Sequence, residues 1–260
     1  MEIVYATYHV EIGEPPFFVA LDHDRRTVVI SIRGTLSLQD IITDLNAEAE
    51  FLPTNPPQEN WLGHKGMIEA ALYIRRKLAE EKILERAFSS HPHKGTQNYS
   101  LVLVGHSLGA GTATILAILL REVYNDLVCY AFSPPGGLLS LPAVEYTKQF
   151  TTSVILGKDV VPRLGLHQME ALRFDLMEAI KKSREPKWKT IATSFCCCSD
   201  AISNSELDDT DTLGDDGSLS GEKELSTHPE SSSIALTVHQ PLYPPGKIIH
   251  IVRNHLHDRK

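Results

Sequence analysis

The sequence contains no run of about 20 apolar residues, the length that an α-helix needs to cross a bilayer. Its longest apolar helical stretch, Thr112 to Leu120, falls well short of that length. The first residues, Glu2-Ile3-Val4-Tyr5, also differ from a secretory signal peptide, which begins with basic residues and continues with an apolar segment. We therefore expect a chain that is soluble or bound to a membrane surface.

Cysteine is scarce, and its four copies are not spaced as a disulfide framework. Cys129 stands alone in an apolar run, whereas Cys196, Cys197 and Cys198 are adjacent. Adjacent cysteines cannot all reach one tetrahedral zinc ion, so we expect no metal there. This cysteine pattern fits a reducing compartment.

A basic excess is also absent from the sequence. The net charge is −8 at pH 7, and ten acidic residues against one basic residue lie between Ser199 and Glu230. That segment accounts for −9, so the rest of the chain carries about +1. The acidity therefore belongs to one segment and not to the fold, and the charge gives no argument for nucleic-acid binding.

An apolar run, a serine between glycines and a second apolar run follow one another near the middle of the chain. Leu101 to Val104 has the composition of a buried strand, and Thr112 to Leu120 has that of a buried helix. Ser107 lies between them. The pattern predicts a strand, a sharp turn and a helix.

Gly105 and Gly109 stand two residues before and two residues after Ser107, which is the spacing of a nucleophile elbow. That turn tolerates only small residues at these positions, and it exposes the serine Oγ at the end of the strand. The backbone N–H of Leu108 would point to an oxyanion formed during acyl transfer. An ordinary strand, turn and helix with a non-catalytic Ser107 is the alternative.

Strand-like and helix-like segments alternate along the rest of the chain. This alternation predicts an α/β fold of the α/β-hydrolase type, with a mostly parallel sheet and flanking helices. The strands are predicted at Phe17 to Leu21, Thr27 to Ile32, Leu127 to Phe132, Thr151 to Leu156 and Lys247 to Val252, and the helices at Glu69 to Phe88 and Leu166 to Lys182.

Two further polar residues are predicted at the carboxyl ends of strands, the edge at which open parallel sheets bind their ligands. Thr35 follows a strand that ends at Ile32 and is a candidate second oxyanion donor. Asp159 follows the strand that ends at Leu156, where an acid that orients a histidine would lie. A role for Asp159 in a turn or helix cap is the alternative.

Three histidines lie in polar segments, and two of them, His91 and His93, are predicted to be solvated. Asp22-His23-Asp24 forms a polar turn between two strands, and His91 and His93 belong to a polar loop. No further ligands are near the 22–24 group in sequence, so it does not indicate a metal site.

Residues 183–233 differ in composition from the rest of the chain. Basic residues around Trp188 precede the three adjacent cysteines, and an acidic, serine-rich segment that we expect to be disordered follows. The basic part either binds an anionic membrane surface and carries thioester-linked acyl chains on Cys196, Cys197 and Cys198, or is a solvated helix end with inert thiols.

Three motifs together resemble the fungal-type, class 3 lipase domain: Ile32-Arg33-Gly34-Thr35, Gly105-His106-Ser107-Leu108-Gly109 and Gly157-Lys158-Asp159-Val160-Val161-Pro162. The segment Ser133-Pro134-Pro135-Gly136-Gly137-Leu138-Leu139-Ser140 and the cysteine-bearing acidic insertion are similar to the sn-1-specific diacylglycerol lipases, and to the beta form among them. The resemblance extends from Met1 to His250.

The resemblance implies a serine lipase that hydrolyses the sn-1 ester of diacylglycerol and releases a fatty acid and a monoacylglycerol such as 2-arachidonoylglycerol. It implies Ser107 as the nucleophile, Asp159 as the orienting acid, and Thr35 and Leu108 as oxyanion donors. It also implies a single lipase domain over residues 1–260 with a regulatory insertion at 183–233. The cytoplasmic face of the plasma membrane is the implied location, and no cofactor is implied except calcium, for which the sequence shows no site.

The family's catalytic histidine has no matching segment at residues 253–260. We therefore expect a lipase domain that is incomplete at its C-terminus and impaired in activity. His255 and His257 follow Ser107 and Asp159 in the right order, but a charged terminal tail holds an imidazole poorly. A non-catalytic, membrane-associated module that binds lipid or a partner through the insertion is the alternative from another class.

Overall fold

A computed structural model describes residues 1–8, 13–34, 49–182 and 241–252. The predictions for Thr35, for Cys196 to Cys198, for the insertion at 183–233 and for His255 and His257 lie outside the described residues. The chain divides into two compact units, Met1–Met169 with Ala235–Lys260 and Glu170–Ile234. The prediction of one lipase domain with an insertion stays a prediction.

The described part of the first unit contains nine strands and most of the helical segments. In chain order the elements are β1 Glu2–Ala6, β2 Phe17–Asp22, β3 Thr27–Ile32, β4 Ala49–Phe51, β5 Leu62–His64, α1 Lys65–Glu80, α2 Ile83–Ser89, β6 Ser100–His106, α3 Leu108–Leu120, β7 Val128–Phe132, α4 Leu141–Thr147, β8 Thr151–Leu156, α5 Leu166–Lys182 and β9 Lys247–Ile251. Short 3₁₀ turns cover Pro92–Lys94, Thr96–Asn98 and Val161–Arg163. The sequence boundary between the two units, at Met169 and Glu170, falls within the range of α5.

Seven strands form the main sheet in the order β1-β2-β3-β6-β7-β8-β9. The first three strands pair antiparallel, and every later pairing from β3 to β9 is parallel. β4 and β5 form a separate two-stranded sheet. The predicted α/β fold with a mostly parallel sheet is confirmed.

β6 and α3 form the centre of the core, and their sequences explain why. Leu101 and Leu103 are buried in β6 in alternation with partly buried residues, as the period of two in a strand requires. Every residue of α3 after Leu108 is buried, which suits a helix that is apolar on all sides. The small side chains of Ala113 and Ala117 are fully buried in a helix that packs against β6, β7 and α1.

The single helix predicted from Glu69 to Phe88 is wrong in one respect, because the chain makes two helices there. Lys82 adopts the left-handed conformation with φ of 49°, and the backbone N–H groups of Glu81 and Lys82 bond back to the carbonyls of Lys77 and Ala79. A non-glycine residue rarely adopts this conformation, so the apolar spacing gave no sign of the break.

No helix within the described ranges is long and apolar enough to cross a membrane.

Cys129 is fully buried in β7, where its thiol lies 3.9 Å from the Thr114 hydroxyl oxygen. Burial raises the pKa of this thiol from 9.0 to about 12. Between these two values the unfolded thiol loses its proton while the folded one keeps it. The stability contributed by Cys129 is therefore present below pH 9 and falls as the pH rises towards 12.

We expect the Cys129→Ala variant to lose less stability than the wild type between pH 8 and pH 10.5, because it has no buried thiol to keep protonated. The difference between the two proteins in free energy of unfolding should change by at most about 1.4 kcal/mol per pH unit. Urea unfolding at several pH values measures it. The comparison cancels the titration of lysines and tyrosines, and a pH-independent difference would contradict the prediction.

Candidate active site

Ser107 occupies the turn between β6 and α3 in a strained conformation, with φ of 55° and ψ of −127°. Backbone of this kind costs about 1–3 kcal/mol for a non-glycine residue and persists only where neighbouring contacts hold it. The Ser107 N–H donates to the Phe132 carbonyl at 3.0 Å, and the Ser107 carbonyl accepts from the Ala110 N–H at 2.9 Å. The turn predicted from sequence is present.

Three glycines let the backbone segments around this turn approach one another. A Cβ on Gly105 would overlap the carbonyl oxygen of Gly109, and one on Gly34 would overlap the carbonyl oxygen of His106. A Cβ on Gly109 would lie 2.5 Å from the Ile32 carbonyl oxygen. Each obstruction is backbone and cannot swing aside, so the glycine spacing read from the sequence has a steric cause.

The Ser107 side chain is buried, and its Oγ has no hydrogen-bond partner among the described residues. His250, on β9, is directed elsewhere, since its Nε2 lies 2.6 Å from the Gly157 carbonyl oxygen and donates to it. The described part of the chain therefore places no general base on Ser107.

Asp159 follows β8 and is partly buried in the turn that leads to the Val161–Arg163 3₁₀ segment. Its Oδ1 accepts the Val161 N–H at 3.0 Å, and the Arg163 guanidinium donates to the Asp159 backbone carbonyl. The Asp159 carboxylate thus caps a turn, which is the alternative that the sequence offers to orienting a histidine. A catalytic role stays a prediction.

An apolar contact joins the Asp159 turn to the elbow. The side chain of Leu108, next to Ser107, packs against Val161, and Leu164 packs against Val161 as well. The backbone N–H of Leu108 is the first of α3 and has no carbonyl partner within the helix, as an oxyanion donor requires. Thr35 lies outside the described residues, although the neighbouring Gly34 is against the His106 carbonyl.

Apolar residues that sequence reasoning did not select surround the start of α3. A Cβ on Gly111 would overlap Met67 Sδ and would lie 3.0 Å from Leu138 Cδ1. Met67 belongs to α1, which begins four residues before the predicted helix. Leu138 follows the Ser133 to Gly137 segment, and no local pattern distinguishes it from other core leucines.

The carboxyl ends of β3, β6, β7 and β8 meet at one edge of the sheet, which carries Gly34, Ser107 and Asp159. A strained serine between a central strand and a buried helix, with an aspartate after a later strand, defines the α/β-hydrolase type of protein. A family model described as lipase (class 3) matches residues 29–169, more than half of the chain. The chain therefore belongs to the class 3 lipase family, whose members are carboxylic ester hydrolases.

Individual relatives agree with this assignment. The chain is 49% identical over 255 residues to diacylglycerol lipase-alpha of Rattus norvegicus, covering 98% of the chain and 24% of that protein. It is 41% identical over 264 residues to diacylglycerol lipase-beta of Mus musculus, covering 96% of the chain and 38% of that protein. The crystal structure of a mono- and diacylglycerol lipase from Aspergillus oryzae has a TM-score of 0.54 at 26% identity, over 63% of the chain and 58% of that chain.

The chain spans about a quarter of the length of the alpha-form relative and well under half of the beta-form relative. Of these two, the alpha form is the more similar, whereas the sequence motifs had suggested the beta form. The family prediction itself is confirmed.

Proposed function

We propose that the chain is the catalytic domain of a serine lipase that hydrolyses the sn-1 ester of diacylglycerol. The products are a free fatty acid and a monoacylglycerol such as 2-arachidonoylglycerol. The observation that carries this proposal is the strained Ser107 turn with glycines packed against backbone. The similarity to diacylglycerol lipases supports the substrate.

In the proposed reaction the Ser107 hydroxyl attacks the ester carbonyl and loses its proton to a histidine. The backbone N–H of Leu108, together with Thr35, stabilises the oxyanion, and Asp159 orients the histidine. This chemistry needs no cofactor, and adding a calcium chelator to the assay tests whether calcium contributes.

We further propose that this chain on its own is impaired. The support is that Ser107 Oγ has no partner among the described side chains, and that His250 donates to a backbone carbonyl. Without a base a serine hydroxyl is a weak nucleophile, and the loss of one triad member costs about 10⁴- to 10⁶-fold in rate.

Binding to a membrane surface has support from α5. The helix ends at Lys181 and Lys182. Four of its large apolar side chains are exposed: Leu172, Phe174, Leu176 and Met177. Exposed apolar side chains on a helix whose sequence ends in two lysines suit the surface of an anionic bilayer. The same feature favours the second candidate function, a non-catalytic module that binds lipid.

A diacylglycerol with two different acyl chains tests the proposal. 1-Stearoyl-2-arachidonoylglycerol is incubated with the chain alone and with the chain joined to the segment that follows this region in rat diacylglycerol lipase-alpha, and the products are identified by mass spectrometry. We expect stearate and 2-arachidonoylglycerol from the extended protein and near-background turnover from the chain alone.

Each part of the proposal has its own contrary result. Release of arachidonate would contradict sn-1 specificity, and robust turnover by the chain alone would contradict impairment. An extended, folded protein that binds vesicles but neither hydrolyses diacylglycerol nor reacts with a fluorophosphonate would favour the lipid-binding module.

A further inference from the structure

Three side chains that are far apart in sequence converge at the edge of the sheet opposite Ser107. Glu2 lies in β1, His23 lies in the turn between β2 and β3, and His91 immediately precedes the Pro92–Lys94 3₁₀ segment. β3 and β6 begin at this edge, since Thr27 pairs with Ser100. Ser107 is at the other end of β6.

The side-chain atoms of this Glu2 cluster, defined by Glu2, His23 and His91, face one another at close range. His23 Nε2 lies 3.0 Å from Glu2 Oε2, and His91 Nε2 lies 2.9 Å from Oε1 and 3.1 Å from Oε2. One ligand atom from each residue lies within 4.8 Å of the other two. An ionised carboxylate accepts hydrogen bonds but donates none. Each imidazole nitrogen this close to it must therefore carry a proton or bind a cation that the carboxylate also contacts.

Hydrogen bonds hold His23 in place from two directions. The Asp22 Oδ1 accepts the backbone N–H groups of Asp24 and Arg25 at 3.1 and 3.0 Å and so fixes the turn. The second ring nitrogen, His23 Nδ1, lies 3.1 Å from the hydroxyl of the buried Tyr99. When Nδ1–H donates to this hydroxyl, the lone pair of Nε2 is available to a cation bound beside Glu2 in place of the proton, as in histidine metal ligands with an outer-shell partner.

His91 is fixed by its backbone. Its N–H donates to Thr96 Oγ1 at 3.2 Å, and its carbonyl accepts the Lys94 N–H at 2.9 Å. Thr96 is fully buried, and its hydroxyl donates to the Phe88 carbonyl at 2.8 Å. The His91 ring lies 5.5 Å from the His23 ring and 5.5 Å from the His93 ring, both edge-on, so a third imidazole is near the cluster.

We propose that Glu2, His23 and His91 form a binding site for a divalent transition-metal ion, of which Zn²⁺ is the best fit. Two imidazole nitrogens and one carboxylate oxygen are the donors that zinc takes at about 2.0–2.2 Å. Donors at that distance in a tetrahedron stand about 3.3–3.6 Å apart, and the observed separations require side-chain shifts of under about 1 Å. His93 or a water molecule supplies the fourth ligand. Calcium and magnesium prefer all-oxygen sites and are not expected to bind.

Zinc binding is measured by calorimetric titration of the full chain after chelator treatment. Cys196, Cys197 and Cys198 are replaced by serine throughout, so that their thiolates do not compete for the metal. We expect one equivalent of Zn²⁺ to bind with a Kd of about 1 µM or lower. His23→Ala and His91→Ala should each weaken binding more than about tenfold, and His106→Ala, which removes an exposed histidine at the opposite edge, should not.

A thermal-unfolding series separates the metal site from a simple ion pair. Zn²⁺ should raise the unfolding temperature of the wild type increasingly as the free zinc concentration exceeds the Kd. It should not raise that of Glu2→Gln, which keeps the side-chain shape but removes the charge. Tyr99→Phe should weaken zinc binding about tenfold, because the outer-shell bond to His23 is lost.

Three results would overturn the proposal. They are the absence of saturable zinc binding, zinc binding of equal affinity in folded His23→Ala and His91→Ala variants, and an equal stabilisation by Ca²⁺. Because the cluster lies at the opposite edge from Ser107, its failure would leave the lipase proposal untouched.

Discussion

Ser107→Ala is expected to abolish covalent reaction with a fluorophosphonate and to lower diacylglycerol hydrolysis by about 10⁴- to 10⁶-fold in the extended protein. The hydroxyl is the group of residue 107 that can form an acyl-enzyme, and the proposed oxyanion donors stabilise only an intermediate that no longer forms. Labelling followed by peptide mass spectrometry, together with product analysis, measures both effects.

Ser100→Ala is the matched control, because Ser100 begins the strand that Ser107 follows. It also removes a serine hydroxyl, but at the opposite end of β6, and should leave labelling and hydrolysis unchanged. Hydrolysis retained in a folded Ser107→Ala protein would show that another group is the nucleophile, and the function proposed here would be wrong.

Gly105→Ala should destabilise the protein by more than about 3 kcal/mol and prevent folding if the native margin is small. The added methyl group would occupy the space of the Gly109 carbonyl, and the nearest three atoms are all backbone. Relief therefore requires β6 and α3 to move apart, which opens the most buried part of the core. Urea or thermal unfolding of the soluble fraction measures the loss.

Gly66→Ala tests whether the effect is steric and not a general cost of replacing glycine. Gly66 lies in the first turn of α1, and a Cβ there would be 3.6 Å from the nearest atom of His64, an ordinary contact. We expect a change near zero or a stabilisation of about 0.5 kcal/mol. If both variants unfolded at the same denaturant concentration, the packing account of the elbow would fail.

Regular periodicity explains which elements were predictable from the sequence. β8 spans Thr151–Leu156 and α5 spans Leu166–Lys182, the same limits that the apolar pattern predicts. The Ser107 turn was also predictable, because the position of Gly105 and Gly109 reflects backbone contacts with specific steric limits. The spacing of residues within one segment is therefore enough to predict these elements and this turn.

Long-range convergence was not predictable in the same way. The sequence predicts a polar turn around His23 and a solvated His91, yet both residues bond to Glu2 from positions 21 and 89 residues away. The hydrogen bonds from His91 and His23 lower the pKa of the Glu2 carboxyl to about 2. No single segment carries the signal, since it arises only when β1, the β2–β3 turn and the loop before β6 are brought together.

The turn that contains Asp159 is hydrogen-bonded to β9, a strand with few buried contacts. All five of its side chains are exposed, and 90 residues, 157–246, separate it from β8, the strand with which it pairs. Gly157 donates its N–H to the Ile251 carbonyl at 2.8 Å and accepts from His250, so the turn that holds Asp159 is tied to this edge. Strands with few buried contacts open in local fluctuations that leave the core folded. The position of Asp159 therefore depends on the local opening of β9, the last strand of the sheet among the described residues, whereas the position of Ser107 depends on the global stability of β6.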